Sequence, residues 1–451
     1  MIKQCVVLCV LALSLVSSVQ AQEGKVPTGV PHLDHVFVIM MENHGYNQVF
    51  SNPNAPFINK LAMSANIGTN YFAVGHPSLT NYLEVTGGSN FGVRSDDYPN
   101  WHSINCQTNL FTKVPALDNP AQVPSVICPI TGGGTDAATP AIDCTNEVQI
   151  PPASQPAGCL WDLDGVLSIP AAPALAKTIG DQLFEHGKSW KSYQEDLPIT
   201  GADGVNISDG FFTNNSDFSS FISGGSFSTW KVQGVTIPKV GSQADAQGDI
   251  VYLYAVKHNP FVYFQNVQGG AESRNSLKNV VGFDGPHGLY ADLASGNVPN
   301  FSFIAPNQCN DQHGRGNAGP FCNFDADDNG TQAGLNESNI LMGDITVQRI
   351  VGAIKDSETW RDGNNAIVLL WDENDYTESP NRVLLVVDTN YGQKGVKSGK
   401  FYTHFSLLKS LEGGFELPCL NHACDAATSV MSDLFAGGKN DHDSDRDDDG
   451  R

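Results

Sequence analysis

Basic side chains are scarce in this chain. Lysine and arginine number 25 against 48 aspartates and glutamates, for a formal net charge of -23. Such a surface repels the phosphate backbone of nucleic acid and anionic lipid head groups, so neither is expected as a partner. A buried pocket is governed by its own local charge instead. Long apolar runs are missing past Ala21, which leaves no expected membrane-spanning helix and no stable membrane insertion. No cysteine pair has C-x-x-C spacing, which argues against a zinc cluster. No G-x-S-x-G turn occurs, which argues against a lipase-type triad.

What is present begins with a leader. Lys3 followed by the apolar run CVVLCVLALSLV and the small-residue site Val19-Gln20-Ala21 reads as a cleavable signal over residues 1–21. The mature protein is therefore expected to be secreted or periplasmic. Of the 10 cysteines, Cys5 and Cys9 leave with that leader. The even remainder in an exported chain reads as disulfides. Cys309 with Cys322 and Cys419 with Cys424 are the expected local pairs, and Cys106, Cys128, Cys144 and Cys159 are expected to staple the stretch between them.

The chain is organised around His35 to Asn43, HVFVIMMEN. Six apolar residues in a row show no polar face, so the segment reads as a strand buried on both sides. Glu42 and Asn43 fall where a parallel strand leaves its sheet, the place where open α/β sheets bind ligands. The plan recurs late in the chain, where Ala366 to Leu370 is followed by Trp371, Asp372 and Glu373. Two core strands ending in acidic and amide ligands suggest one hard-cation site built from both. In the rival reading, each polar pair only caps its strand.

Between these strands the pattern alternates strand with helix. Ala55 to Ala65 has helical spacing. Asn70 to Val74 is extended, and Gly75-His76-Pro77-Ser78 precedes a helix stopped by Gly87-Gly88. Ser78 is thus at a helix N-terminus, either as an ordinary cap or as a nucleophile where free N–H groups would stabilise an oxyanion. Helices are expected at 177–186, from His287 through Leu293, at 341–354 and at 404–411, with strands at 190–193, 300–305 and 383–387. Low-periodicity insertions are expected at about 91–173 and 201–248. This order predicts one doubly wound α/β domain over 22–438, followed by an acidic disordered tail at 439–451. Asp325 to Gly330 matches the start of a calcium loop but has Asn336 where the closing glutamate belongs.

Five segments together, VIMMENHGYNQVF, GHPSLTNYLEVTGG, LYADLASGNVPNFSFIAPNQCNDQH, IVLLWDEND and THFSLLKSLEGGFELP, resemble the phosphoesterase family of bacterial phospholipases C and acid phosphatases within the alkaline-phosphatase superfamily. The shorter, acid-phosphatase-like branch is the better match. The resemblance implies an alkaline-phosphatase-like α/β fold and metal-assisted phosphoester hydrolysis. It places metal ligands at Glu42, Asn43, Asp372 and Glu373. It puts the nucleophile, itself bound to metal, at Ser78 in Pro77-Ser78-Leu79-Thr80-Asn81. His313 falls near the phosphate, and His404 matches a helix histidine near the end. Where the long phospholipases carry a Gly-Gly-aromatic run with a further Asp-His, this chain reads Asn374-Asp375-Tyr376-Thr377, a departure that weighs against a lipid diester.

The mechanism expected on this basis uses one divalent ion to neutralise the phosphoryl group and activate Ser78, with a phosphoserine intermediate. His313 is expected to serve the leaving group, and His76 and His287 to contact phosphate. The expected partner is a small phosphorylated substrate. A phosphomonoesterase is the first reading, a phospholipase C-type phosphodiesterase the second, and a non-enzymatic calcium-binding surface protein the third.

Overall fold

The computed structural model describes residues 23–76, 78–90, 177–197, 230–232, 235–237, 253–264, 266–267, 273–314, 322, 337–375 and 380–435. The expected leader, all of the first insertion and most of the second, the four cysteines from Cys106 to Cys159, the Asp325–Gly330 stretch and the acidic tail lie outside these residues. The strands in chain order are β1 (His35–Met41), β2 (Asn66–Gly68), β3 (Tyr71–Phe72), β4 (Trp190–Gln194), β5 (Trp230–Val232), β6 (Val235–Ile237), β7 (Val280–Gly282), β8 (Phe301–Ala305), β9 (Asn365–Trp371), β10 (Leu385–Thr389), β11 (Lys397–Ser398) and β12 (Tyr402–Thr403).

Eight of these strands form one sheet in the order β11-β2-β10-β9-β1-β8-β4-β7. Its core, from β9 to β7, is parallel throughout. β1 lies between β8 and β9, the position that its uniformly apolar sequence demands. From Val36 to Met41 every side chain is buried, and so is every residue of β9. Because neighbouring side chains point to opposite faces, both faces of the sheet centre must be covered. Helices supply the cover in two groups. Pro56–Ser64 packs on Glu337–Asp356, which also meets Leu289–Ser295, while Ser78–Gly87 packs on His404–Phe415 and Ile179–Glu185. The doubly wound α/β sheet flanked by helices is therefore present.

Two details differ from the sequence reading. The VLLVV stretch forms β10 two residues later than its apolar run starts, and it pairs antiparallel with β9. The described part of the link from Trp371 to Leu385 holds no helix, so the chain turns back at the carboxyl end of β9 instead of crossing over. The polar loop after β1 also contains a short helix, Tyr46–Val49. The stop expected at Gly88 is real. Its φ is +72°, and a Cβ there would stand 2.6 Å from the Leu420 carbonyl oxygen, so only glycine fits. Both expected local disulfides, Cys309–Cys322 and Cys419–Cys424, are formed.

Candidate active site

The site assembles at the carboxyl ends of β1, β8 and β9. Met41 and Trp371 are direct partners in the parallel ladder, so the next residues, Glu42 and Asp372, emerge side by side at the ~4.8 Å spacing of adjacent strands. The ladder runs on past the strands. Asp372 N donates to the Met41 carbonyl at 3.0 Å, and Glu42 N donates to the Asp311 carbonyl at 2.9 Å. Three acidic residues from three segments are thereby locked together through their backbones.

Asp311 and His313 owe their placement to the residue between them. Gln312 holds a left-handed φ of +84°. Its side chain accepts from Trp371 Nε1 at 2.9 Å and donates to the Ile340 carbonyl at 2.9 Å, and its own carbonyl oxygen receives His44 Nε2 at 3.0 Å. The side chain lies so close to Gly343 that a Cβ there would collide with it. The Cys309–Cys322 bond closes the same loop. Replacing both cysteines by serine is expected to cost about 2–3 kcal/mol in stability. It should also lower kcat/KM well below the unfolding temperature, because slack in the loop displaces Asp311. Thermal unfolding together with kinetics checks this, and unaltered kinetics would mean that Gln312 holds the loop unaided.

Around Glu42 the polar groups are nearly all acidic or imidazole. His258 Nε2 is 2.8 Å from Glu42 Oε1, and its Nδ1 is 3.3 Å from Asp311 Oδ2. Burial alone would lower the His258 pKa, but the two carboxylates outweigh it and hold it up at about 9. Burial would raise Glu42, yet the charges of His258, Lys257 and His313 bring it well below the usual carboxylate range. Asp311 is pushed up to about 6 by burial, against the pull of His258. Asp372 rises well above the ordinary value, first through burial and then through the Glu42 and Glu373 carboxylates beside it. His313 is lowered to about 4 by burial. Its Nδ1 faces the Gly314 carbonyl at 2.6 Å and so carries the proton, which leaves Nε2 as a lone pair 3.6 Å from Glu42 Oε2. That arrangement suits a ligand or proton acceptor better than the acid expected from the sequence.

A second cluster centres on Glu373. Ser78 Oγ donates to Glu373 Oε1 at 3.2 Å, Asn81 Nδ2 donates to Oε2 at 3.1 Å, and His76 Nδ1 is 2.8 Å from Oε2. Ser78 opens the Ser78–Gly87 helix, and Asn81, one turn on, also accepts from the N–H groups of Val74 and Gly75. This latches the strand-to-helix turn that carries His76 and Ser78.

The structure thus brings together Glu42, Asp372, Glu373, Ser78, His76 and His313 from the expected set, with Asn43 buried beside Glu42. His404 reaches the site from behind. Its Nε2 lies 2.6 Å from the Asp372 carbonyl oxygen and its Nδ1 is 2.8 Å from the Tyr71 hydroxyl. The carbonyl can only accept, so Nε2 carries the proton and Nδ1 accepts from Tyr71. Both nitrogens are thereby used in holding the end of β9, and burial lowers the ring pKa to about 4. His287 is not brought to the cluster. It sits exposed in the turn before the Leu289–Ser295 helix, where its carbonyl accepts from Lys191 Nζ at 3.3 Å. Sequence reasoning missed His258 and gave Asp311 no role. The available signals were the Lys257-His258-Asn259-Pro260 segment opening the buried PFVYF run, and an aspartate inside a cysteine pair.

A cation fits this donor set. Both oxygens of Glu42, both of Asp372, Asp311 Oδ2 and His258 Nε2 are buried without a geometrically good hydrogen bond among the described residues. Like charges buried together are costly unless a counter-charge joins them. Glu42, His258 and Asp311 offer ligand atoms that lie within 4.8 Å of one another. Carboxylates alone would favour magnesium, calcium or manganese, and the imidazole extends the choice to zinc.

An open α/β sheet with a serine, an acidic cluster and histidines at its carboxyl end defines the class. Within that class the chain belongs to the Phosphoesterase family, whose model matches residues 48–418. It is 23% identical over 390 residues to a phosphate-repressible acid phosphatase of Penicillium chrysogenum, covering 86% of this chain and 60% of that protein. It is 24% identical over 427 residues to a phosphatidylinositol-3-phosphatase of Mycobacterium tuberculosis, covering 93% and 90% respectively. The chain therefore spans less than two thirds of the fungal enzyme and nearly all of the mycobacterial one. Among solved structures, an alkaline-phosphatase-superfamily protein of Vibrio parahaemolyticus aligns with a TM-score of 0.40 at 10% identity, covering 90% of this chain and 72% of that one.

Proposed function

We propose that this chain is an exported, divalent-metal-dependent hydrolase of phosphomonoesters that works through a phosphoserine on Ser78. The observation that carries the reading is the Ser78 hydroxyl, donated to Glu373 at 3.2 Å beside a buried carboxylate cluster. The Glu42, Asp372 and Asp311 side chains would hold the cation, joined by His258 Nε2 once the incoming charge displaces its proton. When bound, it supplies the positive charge that neutralises phosphoryl oxygens. Ser78 Oγ attacks phosphorus, the bond to the leaving oxygen breaks, and the serine proton passes to Glu373. His76, on the other side of that carboxylate, steadies the shared proton. Glu373 then returns it to the leaving alkoxide. Asn81 holds Glu373 and the Val74–Gly75 backbone in register for this exchange. Water hydrolyses the phosphoserine by the same path.

Export is supported by two disulfides among the described residues, which suit an oxidising compartment, and no helix among those residues is long and apolar enough to cross a membrane. A single catalytic domain over 22–438 agrees with a family match covering most of that range. Two substrate classes follow from the relatives: small soluble phosphomonoesters, and the phosphomonoester of a phosphorylated inositol lipid, the latter favoured by the near-complete length match to the mycobacterial protein. The test is turnover of a chromogenic phosphomonoester, a phosphorylated inositol lipid and a phosphocholine diester, each with and without chelator. Chelator-sensitive monoester turnover is expected. Preferential diester turnover would move the protein to the phospholipase type, and no turnover of any phosphoester would reject the hydrolase.

A further inference from the structure

Tyr82 lies in one of the segments that carry the family resemblance, but neither that resemblance nor the reaction above gives it a role. It follows Asn81 and stands four residues after Ser78 in the Ser78–Gly87 helix, so the three side chains share one helix face. Its ring is stacked on His258, with centroids 5.2 Å apart and planes 6° from parallel. It also meets Phe303 of β8 edge-on at 6.0 Å and 67°. Two aromatic neighbours at such different angles leave the ring one position. The side chain is fully buried, yet its hydroxyl has no hydrogen-bond partner among the described residues. Buried tyrosines ordinarily satisfy that hydroxyl. The charges acting on this one are those of Glu42, Asp372, Asp311 and Glu373. Through its stack on His258 the ring thus borders the site, and its hydroxyl is bonded to none of the described residues.

We propose that Tyr82 Oη is a hydrogen-bond donor to a phosphoryl oxygen of the bound ester, held one helical turn from the nucleophile by its stack on His258. This deepens, and rests on, the reading of the site as a phosphoester hydrolase. A phenol carries a single proton to give, and here that proton is left for an acceptor arriving with the substrate. A phosphomonoester attacked by Ser78 brings non-bridging oxygens to the helix face that Ser78, Asn81 and Tyr82 share. A neutral donor suits a site whose charge balance would be set by carboxylates and a cation.

The test is Tyr82→Phe in the full chain loaded with Mn2+, since phenylalanine keeps the stack and removes only the oxygen. Calorimetry would give the affinities for Mn2+ and for inorganic phosphate, and kinetics would give kcat and KM for a chromogenic phosphomonoester. Phosphate binding should weaken about tenfold, and kcat/KM should fall about 10–100-fold, for loss of a donor to a charged oxygen. Mn2+ affinity and Tm should be unchanged. Phosphate binding within twofold of the parent protein would overturn the proposal. So would weakened Mn2+ binding with intact phosphate binding, because the hydroxyl would then be ordering a cation ligand. Should the parent protein bind phosphate but hydrolyse no ester, the functional reading fails on its own, while the phosphate affinities still decide the role of Tyr82.

Discussion

Ser78→Ala is expected to reduce phosphomonoester turnover by about a thousandfold or more, the scale of losing the attacking atom of a covalent mechanism. The fold should tolerate it. Ser78 is the first residue of its helix and its hydroxyl is spent on Glu373, so alanine removes one oxygen and leaves the backbone path unchanged. Asn81 and His76 would still hold Glu373, so cation and phosphate affinity should persist. The same prediction has a direct chemical readout. Acid quenching of the parent protein during turnover of radiolabelled substrate should leave label on the peptide containing Ser78, and the variant should carry none. Turnover that survives the substitution would remove Ser78 as the nucleophile and leave a water attack as the remaining route.

Asp372→Asn is expected to show a larger contrast between function and stability. Asp372 is buried against Glu42, with neither of its oxygens well bonded. As a cation ligand it should matter about a hundredfold or more in metal affinity and activity. In metal-free protein it is a burden. Burial and the neighbouring carboxylates raise its folded pKa well above the unfolded value. The folded state then holds a proton that the unfolded state has lost, so the contribution to stability is complete below the unfolded pKa of about 3.9 and declines as pH rises through the folded one. The metal-free parent should accordingly lose stability between acid and neutral pH, and the asparagine variant should lose less. Added Mn2+ should raise the Tm of the parent strongly and that of the variant little. Thermal scans over pH with and without Mn2+ check both halves, and an undiminished Mn2+ response in the variant would remove Asp372 from the cation site. The trade resembles other active sites, where removing a functional charge stabilises the fold.

The positions of the two central strands were settled locally. HVFVIMM and NAIVLLW have no polar side to give to solvent, so each had to lie at the middle of a covered parallel sheet, and each had to end at its first charged residue. Glu42 and Asp372 were legible for that reason, as was Ser78, set by Gly75 before its helix and Gly88 after it. The near-neighbour disulfides were legible from their spacing and from the expectation of export. The ladder register, which is a property of pairing and not of either strand, decided that Glu42 and Asp372 emerge side by side. The antiparallel return of β10 likewise depends on where the chain turns after Glu373. His258 comes from a 3-10 turn far along the chain, and the carboxylates of Glu42 and Asp311 give it meaning. Tyr82 reads in sequence as one more apolar position on a buried helix, and only the ring beside it and the unmatched hydroxyl mark it out. Local hydrophobic patterning determined which segments form the scaffold. Long-range packing chose which side chains share one buried charge balance, because that balance is a sum over segments that the chain brings together only when folded.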